Sequence, residues 1–221
     1  MNAASVTFEM LHEVARALIW PGEVVELRVL GMEYGTPSGY FDDLEKLARA
    51  AASFDGQGEG VYWTLNPVLP ELLARAANRV KRKARHTTRD EHIVQRRRFL
   101  IDVDPVRPSG ISSTDEQHDA ARERARQIRE WLDAREWPAP FEGDSGNGAN
   151  LVYLINLPND DDSRDLIKRC LGALDFRFSD SEITIDTSVE NAARVWKVYG
   201  TTATKGDPIP GRPHRRSRLL A

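Results

Sequence analysis

Residues 99–104, with the sequence FLIDVD, constrain this chain more than any other segment. Apolar and acidic residues alternate in it, which predicts a β-strand that buries Ile101 and Val103 in the core. Asp102 and Asp104 then share the opposite face. Neighbouring carboxylates repel each other unless a cation neutralises them, and oxygen ligands favour a hard ion such as Mg²⁺ or Mn²⁺. The segment therefore predicts a metal site, with an exposed acidic strand end as the alternative.

A third acidic residue ends a strand of the same kind near the C-terminus. Residues 183–186 are Ile-Thr-Ile-Asp, with the isoleucines on one face and Asp186 on the other. If this strand lies beside the first, three aspartates converge into a ligand set for two ions about 4 Å apart. One ion would activate an attacking hydroxyl and the other would hold a triphosphate. Because Thr187 and Ser188 follow, a turn or capping role for Asp186 is the alternative.

The loop at residues 144–150, DSGNGAN, precedes an apolar strand. Its two glycines allow backbone amides to approach an anion, and Ser145 and Asn147 add hydrogen-bond donors. The loop is not a Walker motif, because it lacks the lysine and leads into a strand. It predicts phosphate binding, with a plain hairpin loop as the alternative.

Three basic residues, Arg194, Lys197 and Lys205, follow Asp186 along the chain. Basic side chains near a metal-bound triphosphate would neutralise its remaining charge. We therefore expect these residues to bind the nucleotide if the three aspartates form a site. Without that site, a solvated basic face is the favoured interpretation.

The net charge of −3 conceals two basic segments. Residues 75–98 contain ten Lys or Arg residues against two acidic ones, and residues 194–221 contain seven against one. This segregation predicts a basic channel on an acidic body, suited to a phosphate-bearing ligand. Two solvated faces without a ligand are the alternative. The predicted nucleic-acid contacts are Arg79, Lys81, Arg82, Lys83, Arg85, Arg96, Arg97 and Arg98.

Hydrophobic periodicity and turn residues predict a mixed α and β chain. A Ser-Thr-Asp-Glu capping box at residues 113–116 predicts the start of a further helix, which ends before Trp137. The remaining predictions are helices over 7–19, 41–54, 69–80 and 164–174; strands over 24–30, 61–65, 97–104, 151–157 and 182–186; a loop over 31–39; a strand or short helix over 192–199; and a tail or linker after Gly206.

The single cysteine, Cys170, excludes an intramolecular disulfide, and its apolar helical pattern favours a buried side chain. No apolar run approaches the ~18–20 residues that span a bilayer. The N-terminus shows no secretory signal. We therefore expect a cytoplasmic protein without a membrane partner.

Several motifs together resemble the archaeo-eukaryotic primase superfamily, in its bacterial and phage primase-polymerase branch. Residues 100–104 (LIDVD) resemble the D-x-D strand of its first motif, and residues 145–151 resemble its second, S-x-H motif. Residues 185–186, with the flanking segment 191–201, are similar to the third. Upstream, residues 39–41 (GYF) and 64–67 (TLNP) also look like this branch. The resemblance extends over nearly the whole chain.

The resemblance implies an α+β fold of two modules with the active site in the cleft between them. The N-terminal α/β module with the basic loop would cover residues 1–90, and an RRM-like catalytic module would cover residues 91–221. The implied activity is template-directed nucleotidyl transfer from (d)NTPs, making primers or extending DNA or RNA with two Mg²⁺ or Mn²⁺ ions. Implied partners are a single-stranded DNA template or primer-template, and a helicase or CRISPR adaptation proteins. Members are often catalytic cores of longer chains, and we expect the same here.

Asn150 stands where the superfamily has the histidine of its second motif, which contacts the phosphates of the incoming nucleotide. Asparagine donates a neutral hydrogen bond but carries no positive charge. Losing a charged contact costs on the order of 1–2 kcal/mol, or about tenfold in binding. Asn150 is therefore expected to bind phosphate weakly. A natural variant, a weakened enzyme and a deliberate substitution are the three explanations for an asparagine at this position. A nucleic-acid-binding RRM-like module with a degenerate site, or a D-x-D glycosyltransferase, is the alternative function.

Overall fold

The computed structural model describes residues 8–220. Within this range the chain forms four α-helices, none of them long and apolar enough to cross a lipid bilayer. They are α1 (Phe8–Leu18), α2 (Leu44–Ser53), α3 (Asp115–Asp133) and α4 (Asp161–Phe178). The predicted helices at these places are confirmed, but the second begins at Leu44, because Phe41, its predicted start, is the last residue of a strand. Thr7, the predicted start of the first, lies outside the described residues.

Eleven β-strands lie within the same range. The predicted strands are all present, and the segment 192–199, predicted as a strand or a short helix, contains the strand β8. The strands are β1 (Val25–Leu30), β2 (Ser38–Phe41), β3 (Gly60–Thr64), β4 (Arg96–Pro105), β5 (Phe141–Asp144), β6 (Ala149–Leu157), β7 (Ile183–Ile185), β8 (Val195–Lys197), β9 (Thr202–Ala203), β10 (Arg215–Arg216) and β11 (Arg218–Leu219).

The larger sheet has the strand order β11-β5-β6-β4-β7, and each neighbouring pair is antiparallel. Strand β4 is flanked on both sides, so its position is fixed by two hydrogen-bonded ladders. Ile101 and Val103 are fully buried, as the alternation in the sequence predicts. Helix α3 packs on β4 and β6, and α4 packs on β7. One face of this sheet is therefore core, and the acidic residues of β4 lie on the other.

The smaller sheet has the order β2-β1-β3-β8 and is also antiparallel. Its last strand comes from the C-terminal half of the chain, with Trp196 paired against Trp63. A single cluster of buried hydrophobic residues includes members of both sheets. The mixed α and β class is confirmed, whereas the division into two modules at residue 90 and the cleft between them stay predictions.

The predicted helix over residues 69–80 is wrong. Only a 3₁₀-helix, Pro70–Arg75, forms, and the chain then runs beside β2, where the amides of Ser38 and Lys81 donate to each other's carbonyls. A Cβ on Gly39 would lie 2.1 Å from the Arg79 carbonyl oxygen, so only glycine permits this close approach. The long-range pairing replaces helical hydrogen bonds, and local periodicity does not contain it.

The cap of α3 is displaced by one residue from its prediction. Thr114 is the N-cap, accepting from the Gln117 amide, and the Gln117 side chain accepts from the Thr114 amide. The amide of Ser113, the predicted cap, instead donates to the Asn147 side chain at 2.9 Å. The start of α3 is thereby attached to the loop between β5 and β6.

The predicted tail after Gly206 is also wrong, because this segment returns to the body of the protein. Strand β10 pairs with β9, and β11 extends the larger sheet beside β5. Ser217 between them is fully buried, and its hydroxyl donates to the Thr201 carbonyl at 2.7 Å. Proline and arginine content alone indicated a tail or a linker, but Arg212, Arg215 and Arg216 bond to the folded body.

Candidate active site

Asp102, Asp104 and Asp186 line one pocket of about 390 Å³. Asp102 and Asp104 project from β4, and β7 pairs with β4 so that the Asp186 amide donates to the Asp102 carbonyl at 2.9 Å. The convergence of the three aspartates was predicted on the condition that the two strands lie side by side, and the structure shows that they do. The pocket volume lies in the range of small-molecule sites. Whether these aspartates bind metal stays a prediction.

The pKa of the Asp102 carboxylate is strongly shifted. Burial raises its pKa to about 7, and the negative charges of Asp104 and Asp186 act in the same direction. Arg194 and Lys205 oppose this shift. The ionised form is therefore destabilised, and binding of either a proton or a cation would stabilise the carboxyl group. An oxygen donor set of this charge fits a hard divalent ion.

The three carboxylates are close neighbours but do not form a ready ligand set. Asp186 Oδ2 accepts from Arg194 at 2.8 Å, and its Oδ1 accepts from the Ser188 amide at 2.8 Å. Asp104 is 3.5 Å from Arg107. Across residues 8–220, no group of three His, Cys, Asp or Glu side chains is placed to hold a metal ion. A cation bound by all three would have to displace Arg194 from Asp186.

The 144–150 loop uses its amides internally. The Gly146 amide donates to Asp144, and the Gly148 amide donates to the Ser145 hydroxyl oxygen at 2.9 Å. Asn147 is buried and accepts from Ser113. Although Ser145 and Asn147 both line the pocket, the predicted cradle of free amides is absent from this loop. Their role in nucleotide binding stays a prediction.

Asp144 in this loop is held by a buried histidine. The His118 Nε2 lies 2.8 Å from Asp144 Oδ1. Burial raises the pKa of Asp144, but the hydrogen bonds from His118 and Gly146 outweigh it and leave the pKa below its usual value. The pair fixes the turn from within, since β5 ends at Asp144 and α3 carries His118.

The three basic side chains predicted to bind the nucleotide all line the pocket, but they differ in burial and in their hydrogen bonds. Arg194 is half-buried and bonded to Asp186, and Lys205 also lines the pocket. Lys197 is only 4% exposed, and its Nζ donates to the Thr202 carbonyl at 2.8 Å. Burial lowers the pKa of Lys197 to about 7. Its charge is therefore weaker than the sequence indicated.

Asn150 does not stand free to meet a phosphate. Its Nδ2 donates to Asp102 Oδ1 at 2.7 Å, and its Oδ1 accepts from the Tyr199 hydroxyl at 3.1 Å. The sequence placed Tyr199 beside a basic segment but gave it no function. Arg107, three residues after Asp104, was likewise missed, although a cation so close to an acidic pair was a usable signal.

The residues predicted to contact nucleic acid differ in exposure. Arg96 and Arg98 do not fit that prediction, because both are only 3% exposed. Arg98 donates to Glu23 at 2.7 Å and to the Leu18 carbonyl at 2.7 Å, and Arg96 donates to the Glu190 carbonyl at 2.7 Å. These arginines hold elements together, as an arginine on a buried strand must. Those that remain exposed are Arg79, Lys81, Arg82, Lys83 and Arg85, while Arg97 is partly exposed.

No protein-family profile matches the sequence, and no curated protein matches it. Three solved chains resemble the fold, including the two that follow. One is the primase RepB′, which aligns over 97% of this chain at 11% identity with a TM-score of 0.47. This chain covers 56% of that one, little more than half of its length.

The second is the polymerase domain of Mycobacterium tuberculosis ligase D in complex with DNA. It aligns over 94% of this chain and 79% of its own length, with 15% identity and a TM-score of 0.51. The chain shares the fold of that polymerase domain. This likeness concerns the fold alone, because function resides in sites and not in folds.

Proposed function

We propose that this chain is a metal-dependent nucleotidyltransferase that adds nucleotides from (d)NTPs to a nucleic-acid strand, directed by a template. The observation that carries the proposal is one pocket lined by three aspartates and by Arg194, Lys197 and Lys205, within a polymerase-type fold. Carboxylates and cationic side chains in one pocket suit a substrate that arrives as a metal-bound triphosphate.

Each group of the pocket has a distinct task in this proposal. Asp102 and Asp104 would hold divalent ions, and Asp186 would join them once Arg194 leaves it. Such ions, when bound, neutralise the phosphates and make a hydroxyl more nucleophilic. Arg194 and Lys205 would bind the triphosphate oxygens, and the Ser145 hydroxyl would add a neutral donor. The side chains thereby orient the phosphate for attack.

The exposed basic residues between Arg79 and Arg85 would bind the backbone of the template strand. Such contacts are insensitive to base sequence and weaken with salt. A single-stranded DNA template or primer-template is therefore the expected nucleic-acid partner. A helicase or CRISPR adaptation proteins as further partners stay predictions from the resemblance.

Primer extension with labelled nucleotides tests the proposal. The wild-type protein should incorporate nucleotide only with Mg²⁺ or Mn²⁺ present. Asp102→Asn with Asp104→Asn should lower the rate by about a thousandfold or more, because metal stabilisation of a transition state is worth several kcal/mol. Asp161→Asn with Asp165→Asn, the same charge change on exposed positions of α4, should leave it unchanged.

Other outcomes assign a different function. Tight binding of single-stranded DNA with no incorporation under either metal would make the chain a nucleic-acid-binding module with a degenerate site. Absence of both DNA binding and incorporation would favour a sugar-nucleotide transferase. Equal incorporation by the wild type and by the Asp102/Asp104 variant would place the chemistry elsewhere.

A further inference from the structure

The side chain of Asn150 is fully engaged inside the protein. It lies directly opposite Asp102 in the β4–β6 ladder and is 5% exposed. An asparagine amide has two N–H donors. The Nδ2 of Asn150 donates to Asp102 Oδ1 at 2.7 Å and to the Ala149 carbonyl at 3.2 Å. Both donors are used, so none is left for a phosphate oxygen.

The opposite end of the amide is fixed by Tyr199. The Tyr199 hydroxyl donates to Asn150 Oδ1 at 3.1 Å. If the amide were rotated by half a turn, its oxygen would face the Asp102 carboxylate and its N–H would lose that acceptor. The Asp102 carboxylate, which only accepts, therefore selects the orientation in which a donor faces it, and the Tyr199 hydroxyl satisfies the Oδ1 at the other end.

Tyr199 itself has no room to move. It is completely buried, and its ring meets Trp196 edge-on with centroids 5.7 Å apart. A Cβ on Gly143 would lie 2.1 Å from the Tyr199 hydroxyl, so β5 carries a glycine where this ring crosses it. Packing thus holds the hydroxyl in place, the hydroxyl holds the amide, and the amide holds the carboxylate.

We infer that Asn150 and Tyr199 are positioning residues for Asp102, and that Asn150 is not a phosphate ligand. The inference rests on the proposed function, in which Asp102 holds a divalent ion. With Oδ1 engaged by Asn150, the Oδ2 of Asp102 accepts no hydrogen bond from residues 8–220. A neutral donor orients the carboxylate without neutralising it, whereas a charged histidine would compete with the cation.

Binding of Mn²⁺ to the metal-free protein, followed by electron paramagnetic resonance, tests the inference directly. Asn150→Ala should weaken Mn²⁺ affinity by about tenfold or more, the usual effect of removing a partner of a metal ligand. Tyr199→Phe should cause a smaller loss in the same direction. Tyr153→Phe, a buried tyrosine on the helix-covered face of the same sheet, should leave the affinity unchanged.

Steady-state kinetics at saturating Mn²⁺ gives a second readout. Asn150→Ala should lower kcat while the nucleotide KM stays within about twofold, because positioning acts on the carboxylate and not on the phosphates. A KM raised about tenfold with unchanged Mn²⁺ affinity would make Asn150 a phosphate ligand and overturn the inference. An equal loss of Mn²⁺ affinity in Tyr153→Phe would also overturn it, since the effect would then be general destabilisation.

The two proposals can fail separately. If the wild type binds Mn²⁺ but incorporates no nucleotide, the proposed function fails and the Mn²⁺ affinities of the variants still decide the role of Asn150. If the wild type binds no Mn²⁺, both fail. Should Asn150→Ala not fold, Tyr199→Phe provides the same comparison with the Asn150 side chain intact.

Discussion

The carboxylate of Asp102 lies where burial and two like charges meet. Its neighbours Asp104 and Asp186 raise its pKa in addition to the desolvation that dominates the shift. A fold that needed only stability would place an apolar residue at this position of β4. The retained charge is therefore a cost to the metal-free protein, and a bound cation would offset it.

This cost should appear as a pH dependence of stability. The folded pKa of Asp102, about 7, lies above the ordinary value of about 3.9 expected in the unfolded chain. A group with a raised folded pKa stabilises the folded state at low pH, and that contribution is lost as the pH rises through the folded value. In EDTA, the free energy of unfolding of the wild type should therefore fall between about pH 5 and pH 7.

Asp102→Asn is the matched comparison, because it keeps the shape and removes the titration. Urea unfolding of both proteins at the two pH values measures the difference. The variant should lack the decrease and be the more stable protein at pH 7. An identical pH dependence in the two proteins would show that Asp102 carries no unfavourable charge.

At the level of single residues, the sequence predicted the strand face on which a side chain lies better than it predicted the contacts of that side chain. The alternation in β4 correctly placed Asp102 and Asp104 on one face, because strand periodicity is a local property. The partner of Asn150 could not be predicted, since Tyr199 lies 49 positions away and its ring packs across Gly143 of β5. The burial of Arg98 likewise depends on Glu23, which is 75 positions away.

Among the elements, the C-terminal strands β10 and β11 form where proline and arginine content predicted a tail or a linker. Arg215 donates to the Ser113 carbonyl at 3.0 Å and to Asp115 at 2.6 Å, at the start of α3. The C-terminal segment thereby attaches to the start of α3, where the amide of Ser113 also donates to the Asn147 side chain. Elements with local periodicity were predicted, whereas β2, β5, β10 and β11 depend on partners elsewhere in the chain.

Arg215→Ala should therefore destabilise the protein by about 1–3 kcal/mol, because it leaves hydrogen-bond acceptors at the start of α3 without a charged donor. Arg218→Ala, whose residue is exposed in the neighbouring strand, should change stability by less than about 0.5 kcal/mol. Urea or thermal unfolding of the two variants measures the difference. Equal effects would mean that the tail is not anchored through Arg215.

At the scale of the whole molecule, a basic surface lies apart from the pocket that contains the three aspartates. The exposed residues Lys81, Lys83 and Arg85 line a shallow pocket apart from the three aspartates. Residues Arg96 and Arg98 belong to the same basic stretch of sequence but face inward. A charge count along the sequence could not separate the two groups, because only the fold decides which guanidinium groups reach solvent.

Replacing Lys81, Lys83 and Arg85 together with Gln should weaken binding of single-stranded DNA and flatten its salt dependence. Three lost phosphate contacts correspond to a change of about two in the slope of log K against log salt. Replacing Arg49, Arg122 and Arg164, exposed arginines on three helices, should leave the slope unchanged. Fluorescence anisotropy at several salt concentrations distinguishes these outcomes. The same decrease in both triple variants would mean that net charge alone governs binding.

The position of β4 between two strands has a consequence for how the pocket loses its shape on heating. Backbone amides of an inner strand exchange their hydrogens with solvent only when the whole protein opens, whereas those of edge strands exchange through local fraying. Asp102 and Asp104 belong to the inner strand, and Asp186 directly follows the edge strand β7. We therefore expect the backbone amides of Asp102 and Asp104 to be better protected from exchange than the amide of Asp186. The third carboxylate should be released by fraying at temperatures where the pair on β4 is still held in place.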